Sequence, residues 1–121
     1  MNKPKRGLRY NEGKRKWSLV DFKSLEPMVE VLEYGADKYT VLDDEGNVVS
    51  SGENNWKKGM PVSEVMESLM RHTFSLLIGE INDPESGKPH IGHIMCNAMF
   101  VSYLLNEKPE FNDISNKESL D

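Results

Sequence analysis

The sequence predicts an all-α domain of three to four helices built on an antiparallel helical hairpin, with a short β-hairpin-like excursion possible at 40–54. Two apolar-periodic runs, residues 63–82 and 89–106, are separated by the breakers Asp83-Pro84 and Ser86-Gly87, which is the pattern of two helices and a tight polar turn. A third periodic run precedes them, and alternating strand patterns are confined to the excursion.

The first helix is expected to begin near Ser24, a suitable N-cap, with Pro27 in the first turn where its missing N–H does no harm. Leu25, Met28, Val29, Leu32 and Ala36 form its apolar face, and Glu26, Glu30, Glu33 and Asp37 an acidic stripe that reads as solvated. In the excursion, Val41-Leu42 and Val48-Val49 flank Asp43-Asp44-Glu45-Gly46-Asn47, suited to a short hairpin or a mobile loop over a nearby site. After Gly59 and Pro61, Ser63 offers an N-cap for a helix to about residue 82, with Val65, Met66, Leu69, Met70, Thr73, Leu76 and Leu77 facing the core. The third helix runs from about Pro89 to Asn106 on the stripe Ile91, Ile94, Met95, Ala98, Val101 and Leu105. Residues 107–121, polar around an isolated Phe111, read as a frayed acidic tail.

At 121 residues the chain is one domain, small enough that a homo-oligomer, a dimer or higher, would help to stabilise it. The single Cys96 excludes an intramolecular disulfide and suits a reducing compartment. With no apolar run of about 20 residues and no signal-peptide core, a cytoplasmic protein without membrane contact is expected. Charge divides the chain into a basic arm at 1–17, a body at 18–106 and the tail. The arm holds seven of the fifteen Lys and Arg (Lys3, Lys5, Arg6, Arg9, Lys14, Arg15, Lys16) against Glu12 alone. It therefore carries +6 and the remainder −11 of the net −5. Such an arm suits phosphates or an acidic partner; with Tyr10 and Trp17 its only aromatics and no recognised module, nucleic acid is not the expected ligand.

Chemistry concentrates where all three histidines lie. His90, His93 and Asn97 fall at i, i+3 and i+7 on one helix face, while Arg71-His72 and the carboxylates Glu80, Asp83 and Glu85 approach the same end of the hairpin. Several ionisable groups gathered together are costly without a ligand or ion to share them. Carboxylates three residues apart project to one side of a helix, and Glu64-x-x-Glu67 is followed by Glu80-x-x-Asp83. This pairing has the form of the ExxE and ExxD motif of all-α nucleoside triphosphate pyrophosphohydrolases of the MazG and dimeric dUTPase type. On one straight helix, however, Glu64 and Glu80 would lie about 24 Å and about 160° apart. Either the helix breaks near Gly79, or Glu64 and Glu67 meet ligands from another helix or subunit, or Glu80 and Asp83 bind metal with help from the third helix; the last two are favoured.

The ordered motifs Arg9-Tyr10-Asn11-x-Gly13-Lys14, Tyr34-Gly35-Ala36-x-Lys38-Tyr39, Asn55-Trp56-x-x-Gly59, Arg71-His72, Gly79-Glu80-x-x-Asp83-Pro84-Glu85-Ser86-Gly87 and His90-x-x-His93-x-x-x-Asn97 resemble the phage dATP/dGTP diphosphohydrolase N-terminal family over roughly residues 7–105. The resemblance implies Mg²⁺- or Mn²⁺-dependent hydrolysis of a purine deoxynucleoside triphosphate to monophosphate and pyrophosphate, controlling the nucleotide pool in a phage-infected bacterial host. Carried over, Glu80 and Asp83 would hold the metal, with Glu67 an auxiliary ligand or water-orienting base. Arg9, Lys14, Lys38 and Arg71 would meet phosphates, and His72, His90, His93 and Asn97 would position water, bind phosphate or orient carboxylates, His93 among the catalytic set. Tyr39, Asn55 and Trp56 would bind the nucleoside, although Trp56 also reads as a core anchor. The connection at 40–53 is longer than the resemblance leads one to expect. The alternative is a non-catalytic protein that sequesters a nucleotide; a transition-metal hydrolase using His72, His90, His93 and Asp83 ranks lower, because an adjacent His-Asp pair is missing.

Overall fold

The computed structural model describes residues 4–114. Three helices, α1 (Glu26–Lys38), α2 (Val62–Leu77) and α3 (His90–Glu107), form the body. Helix α3 is the shared element: α2 packs along one side of it and α1 along another. A two-stranded antiparallel hairpin, β1 (Val41–Leu42) and β2 (Val48–Ser50), joins α1 to α2, as the turn residues predict. The all-α expectation therefore holds, and among the described residues no helix is long and apolar enough to cross a membrane.

The core is small. Val62, Val65 and Leu104 are buried between α2 and α3, enclosed by Met60, Met66, Phe100, Val101 and Tyr103. On the other side, α1 approaches α3 closely because Gly92 has no side chain: a Cβ there would collide with the Pro27 carbonyl and the Val31 side chain. Val31, absent from the expected apolar face of α1, is its one buried residue, whereas Val29 is exposed. The acidic stripe Glu26, Glu30, Glu33 and Asp37 is exposed, as expected.

Two helix boundaries differ from the sequence reading. Pro27 does sit in the first turn of α1, but Ser24 does not cap it; its hydroxyl bonds Asp21 in a preceding 3-10 turn. Helix α2 ends at Leu77, not near 82, because Gly79 takes a left-handed backbone (φ +100°). There the Gly79 N–H donates to the Leu76 carbonyl and the Glu80 N–H to that of Ser75, which satisfies the last carbonyls of the helix in a Schellman turn. At the other end Ser63 is capped rather than capping: its N–H and hydroxyl donate to Asp113 at 2.8 and 2.6 Å. The stretch expected to fray from 107 thus stays folded at first, with a 3-10 turn at Pro109–Phe111 and the Phe111 ring against Gly59; residues 115–121 of that tail lie outside the described residues, as does Lys3 of the arm. Arm residues 4–17 are exposed throughout.

Replacing Gly92 with alanine is expected to lower stability by about 1–3 kcal/mol through overpacking. Urea unfolding followed by circular dichroism measures it; an unchanged midpoint would show that α1 can yield without loss.

Candidate functional site

The Schellman turn carries Glu80 off α2 and aims the chain into a connector that returns to α3. Within it, the Asp83 carboxylate accepts the N–H groups of Glu85 and Ser86 at 3.3 and 3.2 Å, and the Gly87 N–H closes on the Asp83 carbonyl at 2.7 Å. An Asp placed before Pro-Glu-Ser-Gly folds this way because its short side chain mimics a backbone turn. The connector then meets itself through a bridge between Asn82 and Pro89, and the His90 N–H donates to the Ile81 carbonyl.

The result is a cavity of about 470 Å³ at the mouth of the α2–α3 hairpin. Arg71 and His72 reach it from α2, Lys38 and Tyr39 from the end of α1, Glu80, Asp83 and Glu85 from the connector, and His90, His93 and Asn97 from α3. The predicted histidine face therefore faces this cavity. His90, only 3% exposed, is bonded at both ring nitrogens: Nε2 lies 2.7 Å from Glu80 Oε1 and Nδ1 lies 2.8 Å from His72 Nδ1. In the arrangement with a neutral His90 whose Nε2–H donates to the carboxylate, Nδ1 accepts from His72 Nδ1–H, which leaves the His72 lone pair on Nε2. His72 in turn lies flat on His93, ring centroids 4.2 Å apart and planes 1° from parallel. His93 Nε2 is 2.7 Å from the Ser86 hydroxyl and 3.5 Å from Asp83.

Burial holds the His72 pKa below its usual 6.5, reinforced by charge repulsion from His93 and opposed by Asp83. Burial likewise lowers His93, with Asp83 opposing. For Asp83, desolvation pulls upward, but hydrogen bonds from the Ser86 hydroxyl and the Glu85 and Ser86 amides hold it below the usual carboxylate range. Cys96 also borders the cavity, yet its thiol donates to the Met28 carbonyl and burial pushes its pKa up to about 12, so it is no nucleophile at neutral pH.

Other predicted residues lie elsewhere. Glu67 is exposed and lines neither this cavity nor a smaller neighbouring one, and Arg9 and Lys14 stay on the exposed arm. Asn55, Trp56 and Glu64 line the smaller cavity only. Trp56 is a packing anchor: its ring stacks on Phe100 at 4.7 Å and meets the edge of Tyr103 at 5.0 Å. Of the three arrangements considered for the carboxylates, the helix does break near Gly79, which removes Glu80 and Asp83 from α2 altogether. Among the described residues no three His, Cys, Asp or Glu donors converge as a protein-only metal cage. The three carboxylates beside the cavity instead suit a hard cation that takes one or two carboxylates and completes its shell from phosphate oxygens and water. Sequence reasoning missed Ser86 as partner of both Asp83 and His93, Ser68 as partner of Asn97 at 3.2 Å, and the Lys38–Glu85 pair at 3.7 Å. Only the first had a signal, the Asp-x-x-Ser turn spacing.

Residues 4–114 match the family described as dATP/dGTP diphosphohydrolase, N-terminal. The dATP/dGTP diphosphohydrolase of Salmonella phage PMBT28 is 29% identical over 107 residues, covering 88% of this chain and 32% of that protein. The chain thus spans about a third of the length of this curated relative. No solved structure matches.

Because His72 and His93 bind protons less readily folded than unfolded, their neutral forms favour the fold above about pH 6.5, and stability is lost as pH falls through the lowered values. Thermal unfolding should show Tm declining as pH falls below about 6.5, and His72→Asn should flatten that decline; the same slope in both proteins would remove His72 as its source.

Proposed function

Because the chain belongs to the dATP/dGTP diphosphohydrolase N-terminal family, we propose that its hairpin-mouth cavity hydrolyses a purine deoxynucleoside triphosphate to the monophosphate and pyrophosphate. The observation that carries this reading is the meeting, in one cavity, of two cations, three carboxylates and three imidazoles. Arg71 and Lys38 bind phosphate oxygens. Lys38 is free to do so because its exposed pairing with Glu85 is worth little, about 0–1 kcal/mol.

Glu80 and Asp83 would hold a divalent cation, Mg²⁺ or Mn²⁺, which when bound would neutralise phosphoryl charge and lower the pKa of water. The chain's own part is proton handling and orientation. His72, kept neutral by burial and presenting its Nε2 lone pair, accepts the proton of the water that attacks the α-phosphorus. The new bond is from water oxygen to α-phosphorus, and the bond from α-phosphorus to the bridging oxygen breaks, releasing pyrophosphate. His93, fixed by Ser86, and Asn97, fixed by Ser68, line the path of the α-phosphate.

The same reading includes a homo-oligomer. Met70, Phe74 and Leu77 on one face of α2 and Ile78 just past its end are 50%, 61%, 80% and 67% exposed, a row of apolar surface suited to a second copy. Sedimentation should give a species heavier than one chain, and Phe74→Glu with Leu77→Glu should return it to a monomer; a wild-type monomer at micromolar concentration would end this part of the reading.

Product chromatography after incubation with each nucleoside triphosphate should show monophosphate plus pyrophosphate with Mg²⁺ and neither with chelator. Arg71→Ala should lower kcat/KM about 10- to 100-fold, the scale of a charged hydrogen bond, and Glu80→Gln should suppress turnover while helical circular dichroism persists. Nucleotide bound but intact under every condition would favour sequestration over hydrolysis.

A further inference from the structure

The smaller cavity, about 250 Å³, adjoins the first and shares with it Gly35, Tyr39, Ser68, Asn97 and Phe100. Its remaining wall combines apolar Leu32, Ala36, Met60 and Val65 with the Asn55 amide, and its charged side chains are the carboxylates Glu53 and Glu64. Lys38 and Arg71 border only the first cavity. A polyanion therefore finds cationic partners only in the first cavity, beside carboxylates that a divalent cation would offset, and meets carboxylates alone in the second, which orients any ligand charged at one end. Volume agrees with that division: whole-ligand pockets run about 300–1,000 Å³, so the smaller cavity suits a ring system rather than a complete nucleotide.

Gly35 marks the join. It lies inside α1, where glycine costs about 0.5–1 kcal/mol relative to alanine. At Gly92 a close helix contact explains the missing side chain, but a Cβ on Gly35 would meet nothing within 4 Å. Packing does not require its absence, and Gly35 lines both cavities, so the space it leaves open borders each.

We infer that the smaller cavity holds the base of a purine nucleotide whose phosphates occupy the first, with Glu64 accepting hydrogen bonds from the N–H edge of the base and Gly35 keeping room for the sugar. The inference deepens the proposed function, on which it rests for the placement of the phosphates. A carboxylate accepts two N–H donors side by side. Guanine offers two such donors, the ring N1–H and the exocyclic amine, whereas adenine offers the amine beside a ring acceptor, so Glu64 favours guanine. A site built on such a bond discriminates strongly, because the analogue lacking the donor leaves the acceptor unpaired.

Trp56, on the wall of the smaller cavity, reports its occupancy, and replacing the exposed Trp17 with Phe leaves it the only tryptophan. In metal-free buffer, deoxyguanosine should change Trp56 emission saturably, and inorganic tripolyphosphate should not compete with it. Glu64→Gln should weaken deoxyguanosine about tenfold or more, the scale of a charged hydrogen bond. If Glu64 served only the dipole at the start of α2, that variant would lower Tm and leave deoxyguanosine binding alone. Gly35→Ala should raise Tm yet weaken dGTP more than it weakens deoxyguanosine or tripolyphosphate separately. The base site is overturned if deoxyguanosine leaves Trp56 unchanged, if Glu64→Gln binds it as wild type does, or if Gly35→Ala binds dGTP normally. Failure of hydrolysis is read separately: no turnover with the deoxyguanosine response intact removes the reaction and keeps the base site, and turnover with a silent Trp56 does the reverse.

Discussion

The buried ring of His90 is the constraint on which the rest of the site depends. A polar side chain withdrawn from water must find partners, or its desolvation opposes folding. His90 finds two, one on α2 and one on the connector, and each is itself a group with chemistry to offer. Its burial therefore fixes where α3 begins, how far α2 stands from it, and where Glu80 points. Because a neutral imidazole has one donor and one acceptor, the proton on one side of the ring also determines the tautomer of His72 on the other. Packing and proton placement here are the same interaction seen twice.

Helix termination is the second determinant. An unbroken α2 would carry Glu80 and Asp83 out along its own axis, far from Glu64. The left-handed Gly79 turns the chain instead, and the backbone hydrogen bonds of that turn, made by Gly79 and Glu80 themselves, keep it rigid. The carboxylates thus reach the cavity from a connector tied down by Asp83 and Ser86. Glu67 has no such route: it stays on the outer face of α2, and the acidic residue of its pair that approaches a cavity is Glu64.

Most of the scaffold was legible because helix periodicity and turn chemistry are local signals. The hairpin of α2 and α3, the excursion, and the common face of His90, His93 and Asn97 follow from spacing alone. The parts that were not legible depend on residues distant in sequence. Ser63 has every local property of a cap, yet Asp113, fifty positions away, takes that role. Val31 is buried, and Val29 is not, because the bare backbone of Gly92 determines which side of α1 faces α3. The end of α2 was a different case: Gly79 was visible, but the apolar-periodic run was read past it to about residue 82, and Ile78 and Ile81 beyond the helix prove to be exposed. For the site, the sequence named nearly every group around the first cavity but not its division from the second, which depends on how α1 lies against α3.

One consequence lies in the lone thiol. Cys96 is 1% exposed, sealed beneath α1 with its hydrogen on the Met28 carbonyl and its acidity suppressed. Thiolate is the form that electrophiles capture, so the folded chain presents alkylating reagents with almost no target until α1 lifts from α3. The rate at which a maleimide marks the protein therefore clocks the opening of that seam, with a reporter that the molecule already contains.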